Sequence, residues 1–198
     1  MTQLLTNEKM APEVLPFQFK LVASVCKLVS KQERRLADDQ EKRLKDEEGM
    51  DQDSRLYASI QRMELERVKF VLKSYLRTRL AKIERHLLYI VEKDQSQLLS
   101  PAEIQFAFAL YENRKNFLTE TFFNKIPRDL NELEKDPVPD YMVTAPNLGE
   151  FVFVRMLCEH DKLEILKNIE VQIQKDIIYF LPYHAVKQLL EAGQAELV

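Results

Sequence analysis

Four charged or titratable side chains fall where a helix should be apolar. Between residues 57 and 90, apolar side chains recur with a helical period, and Glu64, Arg79, Lys82 and His86 share their phase. A buried charge is stable only when it is paired or hydrogen bonded. We therefore predict salt bridges from this set, and from Arg79 and Lys82 above all, to carboxylates of a neighbouring helix or subunit. Catalysis is the alternative use of such a set, but no other feature of a reactive pocket accompanies it.

Cys158 and His160 are two potential metal ligands separated by one residue. A zinc site needs three or four ligands, and the remaining candidates, Cys26, His86 and His184, are isolated in the sequence. The pair therefore indicates an exposed loop after a strand, and the sequence predicts no metal.

Sequence motifs of the common enzyme classes are missing. The chain has no Walker loop, dinucleotide fingerprint, nucleophile elbow or metalloprotease helix. With only three glycines, phosphate-binding loops are also disfavoured. We predict that the chain is not an enzyme and takes no cofactor.

Composition places the chain among soluble globular proteins. Of its 198 residues, 45% are hydrophobic and 31% are charged, and the net charge is −3. That charge gives no overall attraction to nucleic acid or to anionic membranes. No apolar run approaches the roughly 18 residues of a membrane span, and residues 1–9 lack a targeting pattern. The sequence predicts a soluble intracellular protein with no membrane partner.

A nucleic-acid interface is the main alternative for the basic stretch of residues 67–85. Phe70 and Tyr75 would supply stacking groups. Helical phase nevertheless places the cations of this stretch on a face shared with Glu66 and Glu84, and a mixed face is usually solvated. An autonomous helical nucleic-acid-binding protein that uses residues 67–85 therefore stays the second reading.

The periodicity predicts a helical first part of the chain. Residues 7–16 contain two prolines and look turn-rich, and helices then follow at 17–45, from Asp53 or Ser54 to about 93, and from 101 to about 126. Ser100 and Glu103 form the pattern of a capping box around Pro101 at the start of the third helix. These helices predict an α-helical A domain over residues 1–126.

The last third of the chain changes character. Four prolines in residues 127–149 indicate a linker. Period-two alternation follows at 151–156, and we expect further strands at 165–173, 176–181 and 195–198, with a short helix at 183–192. The predicted fold is mainly α: a helical bundle A domain followed by a small β-rich C-terminal B domain at 150–198.

The helix around residue 70 carries two apolar ridges, although a surface helix needs only one. One ridge is a broad stripe that consists of Tyr57, Ile60, Leu65, Val68, Val71, Leu72, Tyr75, Leu76, Ile83 and Ile90. The second ridge, Met63, Phe70, Ala81 and Leu88, lies well round the cylinder from this stripe, which predicts burial against a partner. The first strand of the B domain also has apolar side chains on both faces, so we expect this domain to dock on another subunit. The predicted interface residues are Met63, Phe70, Tyr75, Arg79, Leu80, Lys82, Leu87, Leu88, Phe151 and Phe153.

Three segments resemble a known family. The run N-E-K-M-A-P-E-V-L at residues 7–15, the pattern M-E-L-E-R followed by S-Y-L-R-T-R-L-A-K-I-E within residues 63–84, and the tail from Phe151 to Val198 are similar to the Sld-five-type subunit of the eukaryotic GINS complex. The resemblance covers nearly the whole chain in the same order.

The resemblance implies a non-catalytic structural subunit of a heterotetramer in the nucleus. The implied partners are the other three GINS subunits and, through the complex, the replicative MCM helicase and its fork partners. Contact with DNA would be indirect. The implied role is to scaffold the helicase at replication initiation and during fork progression.

Overall fold

The structure is a computed structural model that describes residues 1–45, 52–125, 143–166 and 169–198. The chain separates into two compact units. The first contains Met1–Leu5 and Gln18–Leu76, and the second contains Thr6–Phe17 and Arg77–Val198. In the described ranges, none of the helices is both long enough and apolar enough to cross a bilayer.

The first unit is built mainly from two long helices, α2 (Phe19–Lys45) and the first part of α3 (Gln52–Arg85). Its shorter N-terminal helix, α1 (Thr2–Met10), continues into the second unit. Side chains of α2 and α3 line a shared apolar groove, and Lys69 of α3 forms an ion pair of 2.7 Å with Glu33 of α2. Because α2 repeats its valines at three- and four-residue spacings, one face of it is apolar and packs against α3.

The helical part of the second unit contains the end of α3, then α4 (Leu87–Glu92), a 3-10 turn (Gln95–Leu98), α5 (Pro101–Thr121) and a 3-10 turn (Phe123–Lys125). Its core, here called the helical core, consists of Val14, Ile83, Leu87, Ile90, Leu99 and Ala107. The predicted capping box at the start of α5 is confirmed. Ser100 Oγ accepts the Glu103 backbone N–H at 3.3 Å, and the Glu103 carboxylate accepts the Ser100 N–H at 2.8 Å.

The β-rich module follows, with strands β1 (Phe151–Met156), β2 (His160–Leu166), β3 (Ile169–Ile173), β4 (Ile178–Pro182) and β5 (Ala195–Leu197) and one helix, α6 (Tyr183–Glu191). Strand β1 lies between β4 and β5 in an antiparallel sheet, while β2 and β3 pair separately. The buried side chains Val152, Val154 and Met156 alternate with exposed ones, so the described residues cover one face of β1 and leave the other exposed.

The predicted fold class, mainly helical with a small β-rich C-terminal part, is confirmed. Several predicted boundaries are wrong. Residues 2–10 form a helix where residues 7–16 looked turn-rich, and the strand predicted at 165–173 is two strands. The third helix ends at Thr121 instead of near 126. Most of the predicted linker at 127–149 lies outside the described residues.

The helix predicted to reach residue 93 ends at Arg85 and resumes at Leu87. At the junction, His86 leaves helical geometry with φ −106° and ψ 26°. Its side chain is buried, and its Nδ1 lies 2.8 Å from the carbonyl oxygen of Thr144. No glycine or proline lies at this junction. The interruption of the helix is therefore associated with the contact between His86 and Thr144, and not with a helix-breaking residue.

Candidate subunit interfaces

Arg79 is fully buried, and all five of its N–H donors have acceptors. Nε and one Nη2 proton bind the two carboxylate oxygens of Glu103 at 2.7 and 3.1 Å. Nη1 donates to Glu8 Oε2 at 3.1 Å and to the carbonyl oxygen of Leu15, while Nη2 also donates to the carbonyl of Leu98 at 3.0 Å. The guanidinium thus joins α1, α3 and α5 at one point.

Lys82 extends the same network. Its Nζ lies 3.2 Å from Glu8 Oε1 and donates to the backbone carbonyl of Glu13 at 2.7 Å. Burial lowers the pKa of the Lys82 ammonium, and the Glu8 carboxylate opposes that shift. The prediction that Arg79 and Lys82 meet carboxylates at a helix–helix contact is confirmed.

Glu64 does not belong to this buried set, contrary to the sequence prediction. It is exposed and forms an ion pair of 2.7 Å with Arg67 one turn along α3. His86 is buried, but its Nδ1 lies beside the Thr144 carbonyl oxygen, and among the described residues no carboxylate pairs with it. Helical phase alone could not distinguish Glu64 and His86 from Arg79 and Lys82. The described residues cover the apolar stripe of α3 along only part of its length, so equal phase does not mean equal burial.

The ten predicted interface residues differ in how much surface they offer. Tyr75, Arg79 and Leu87 are buried inside this chain, and Leu80 and Lys82 are half-buried. The five exposed residues are Met63, Phe70, Leu88, Phe151 and Phe153. The interface itself stays a prediction, and these five have the surface available to carry it.

The first exposed apolar surface lies on α3 and is called here the α3 ridge. It consists of Leu56, Ile60, Met63 and Phe70, which follow one another at spacings of four, three and seven residues and so share one side of the helix. Met63 is 70% exposed and Phe70 is 68% exposed. Such a spacing is typical of a helix that packs against another helix.

A second surface, the α5 ridge, was not singled out from the sequence. Phe106 and Phe117 are both exposed and lie eleven residues apart, which is close to three helical turns and places them on one side of α5. Leu118 and Phe122 are exposed as well, but helical phase places them on another side of α5. The eleven-residue spacing of two phenylalanines was the available signal.

The third surface is the uncovered face of the module sheet, called here the aromatic face. Phe180 of β4 stands between Phe151 and Phe153 of β1, with ring centroids 5.3 and 4.8 Å apart. All three rings are more than half exposed, and Ile178 lies beside them. Clustered exposed aromatic side chains are characteristic of protein–protein interfaces.

The basic stretch of residues 67–85 is partly neutralised within the chain. Lys69 binds Glu66 and Glu33, each at 2.7 Å, and Arg67 binds Glu64. Arg79 and Lys82 are directed into the buried network described above. Four of the seven cations in this stretch are therefore paired with carboxylates, which reduces the charge available for phosphates and does not favour the nucleic-acid reading.

Comparison with known proteins finds similarity to GINS proteins both in the helical part and in the C-terminal part of the chain. A family model described as "GINS complex protein helical bundle domain" matches residues 3–122, and one described as "DNA replication complex GINS protein SLD5 C-terminus" matches residues 146–198. Proteins named "DNA replication complex GINS protein SLD5" from Bos taurus and Arabidopsis thaliana are each 30% identical to this chain. The matches cover 97% of this chain and 84% and 86% of those proteins, respectively. The protein of that name from Debaryomyces hansenii is 26% identical, over 97% of this chain and 82% of its own length.

Proposed function

The chain belongs to the SLD5 family of GINS complex proteins, and we propose that it is a non-catalytic structural subunit of a heterotetramer acting in DNA replication. In this proposal the assembled complex scaffolds the replicative MCM helicase at replication initiation and during fork progression. The site of action is the nucleus. The direct partners are the other three GINS subunits, and the helicase, its fork partners and DNA are reached through the complex.

The observation that carries the proposal is the α3 ridge. Met63 and Phe70 leave more than two thirds of their surface uncovered in this chain, and their spacing suits a partner helix. The α5 ridge and the aromatic face add two further apolar surfaces on other elements. A chain with several such surfaces fits a component with several neighbours.

We assign the interface to the exposed members of the predicted set. Met63, Phe70 and Leu88 would contact sister helices, and Phe151 and Phe153 would bring the module onto the complex. Leu80 and Lys82 would contribute at the margins. The division into an A domain at 1–126, a linker at 127–149 and a B domain at 150–198 is part of this proposal.

A non-catalytic role is supported by the buried charges. Arg79 has all its donors occupied by carboxylates and carbonyl oxygens of its own chain. Lys82 is tied to Glu8 and to the Glu13 carbonyl. Arg79 therefore has no N–H group left to donate to a substrate, and both cations are suited to hold helices together.

Co-expression tests the proposal. The full chain is produced alone and together with the three sister subunits, and the products are compared by size-exclusion chromatography with light scattering. At the high concentrations used for chromatography we expect aggregation of the chain alone, and on co-expression one stable complex containing each of the four subunits. A monodisperse monomer that fails to associate with the sister subunits would overturn the proposal, and tight binding of that monomer to DNA would favour the nucleic-acid reading.

A further inference from the structure

Residues 7–15, called here the clasp, lie between the helical core and the β-rich module and pack into both. They comprise the last turn of α1 and the segment after it. Val14 belongs to the helical core, whereas Ala11 and Leu15 belong to the apolar core of the module. One short segment therefore contributes side chains to two hydrophobic cores within the same compact unit.

Polar contacts fix the clasp to the module. The Glu13 carboxylate accepts a hydrogen bond of 2.9 Å from the Tyr183 hydroxyl and one of 2.8 Å from Lys187 Nζ. At the other end of the clasp, Asn7 Oδ1 accepts the backbone N–H of Leu197 at 3.0 Å. These bonds attach the clasp to two elements of the module, helix α6 and strand β5.

Other contacts fix the clasp to the helices. Lys82 of α3 donates to the backbone carbonyl of Glu13 at 2.7 Å and pairs with Glu8 at 3.2 Å. Arg79 pairs with Glu8 and donates to the carbonyl of Leu15. Glu13 is therefore bonded to α3 through its backbone and to α6 through its side chain.

We propose that Glu13 is a positioning residue, which fixes the orientation of the β-rich module, and with it the aromatic face, relative to the helical core. Glu13 is only 6% exposed and the Lys187 side chain is 34% exposed, so their ion pair is partly shielded from solvent and salt. Burial and the Glu13 charge both raise the pKa of Tyr183, so the hydroxyl stays protonated and keeps donating. This inference goes beyond the proposed function, since it concerns the geometry of the chain whichever partners bind it.

Distance measurement between two spin labels tests the proposal. In the full chain co-expressed with its sister subunits, Cys26→Ser leaves the exposed Cys158 of the module as one label site. Gln105→Cys on the exposed side of α5 supplies the other. We expect one narrow distance peak. The peak should be lost in Glu13→Ala and broadened in Tyr183→Phe combined with Lys187→Met, and Glu112→Gln, an exposed carboxylate on α5, should leave it unchanged.

A charge-reversed pair separates positioning from a general loss of stability. Glu13→Lys alone should broaden the distribution, and adding Lys187→Glu should narrow it again, with unchanged circular dichroism throughout. A narrow peak in Glu13→Ala, or no recovery in the reversed pair, would overturn the proposal. If the chain does not assemble with sister subunits, the same labels are measured in the chain alone. The distances then still report on Glu13, although the proposed function has failed.

Discussion

Arg79 and Glu103 form a two-pronged ion pair in the interior of the chain, with Nε–Oε1 at 2.7 Å and Nη2–Oε2 at 3.1 Å. The same Glu103 carboxylate also caps α5 by accepting the Ser100 N–H. The Glu103 carboxylate therefore stabilises the start of α5 and binds the buried cation of Arg79 from α3. Disruption of this pair should affect both the docking of α3 and the beginning of α5.

Arg79→Ala should be strongly destabilising, because it leaves Glu103 buried without its cation and Glu8 with Lys82 alone. We expect the free energy of unfolding to fall by on the order of 3–5 kcal/mol, measured by urea denaturation. Arg67→Ala removes an exposed pair on the same helix and should cost at most about 1 kcal/mol. A loss below about 0.5 kcal/mol for Arg79→Ala would contradict the structural role of the network.

Phe70→Asp should prevent assembly without unfolding the chain. The side chain is exposed in the α3 ridge, so a carboxylate costs little in the isolated chain but is unfavourable in an apolar helix–helix contact. Co-purification with sister subunits measures assembly, and circular dichroism measures helix content. Phe70→Leu keeps an apolar side chain and should still assemble. Wild-type recovery of the complex with Phe70→Asp would show that the ridge is not an interface.

Two neighbouring residues of β1 allow a matched test of the module. Phe153 is on the aromatic face, whereas Val154 is fully buried in the module core. Phe153→Ser should lower stability by on the order of 1 kcal/mol, because the ring contact with Phe180 is lost, and weaken assembly by roughly tenfold or more. Val154→Ser should destabilise the module by on the order of 2–4 kcal/mol.

The outcome that contradicts this prediction is assembly at full affinity in Phe153→Ser. That result would show that the aromatic face is not a subunit interface and that it serves some other ligand. Stability and affinity are measured on the same preparations, by thermal denaturation and by titration of the labelled chain into the remaining subunits.

Tyr183 should resist ionisation at alkaline pH. Its pKa is raised by burial and by Glu13, so the folded chain holds the phenolic proton above pH 10.0, the ordinary value, while the unfolded chain releases it. The contribution of Tyr183 to stability is therefore complete below about pH 10 and is lost as pH rises further. The lowered pKa of Lys82 acts with the opposite sign in the alkaline range.

The difference between the wild type and Tyr183→Phe isolates this contribution, because Lys82 is common to both. Urea denaturation at increasing pH should show a steeper alkaline fall in the wild type than in the variant. Titration of tyrosinate absorbance should show one more tyrosine ionising only on unfolding in the wild type than in Tyr183→Phe. Identical alkaline slopes in the two proteins would refute the assignment.

Some features of this chain could be predicted from local sequence because local physics sets them. The capping box at Ser100 and Glu103 depends on residues three positions apart. The need of Arg79 and Lys82 for carboxylates follows from the cost of burying charge. The identity of the partners could not be predicted, since Glu8 and Glu103 come from distant parts of the chain.

Other features depend on tertiary contacts that leave no local signal. The break at His86 accompanies its contact with Thr144, 58 residues away. Helix α1 could not be predicted because two prolines follow it closely. Ala11 and Leu15 are only two residues, too few to establish a periodic pattern. Leu87 is buried and the neighbouring Leu88 is exposed because of the way α4 packs. A helical wheel that treats α3 and α4 as one continuous helix assigns these two residues to the wrong positions.

The clasp also has a consequence for how this chain folds. Asn7 bonds Leu197, a separation of 190 residues, and Glu13 bonds Tyr183 at a separation of 170. Contacts between such distant residues raise the contact order and slow folding, because a long loop must close before they form. During synthesis, Ala11 and Leu15 emerge long before the strands of the module that cover them. They therefore stay uncovered until residues 151–197 have been made, and the β-rich module closes only after the helices around Arg79 are available.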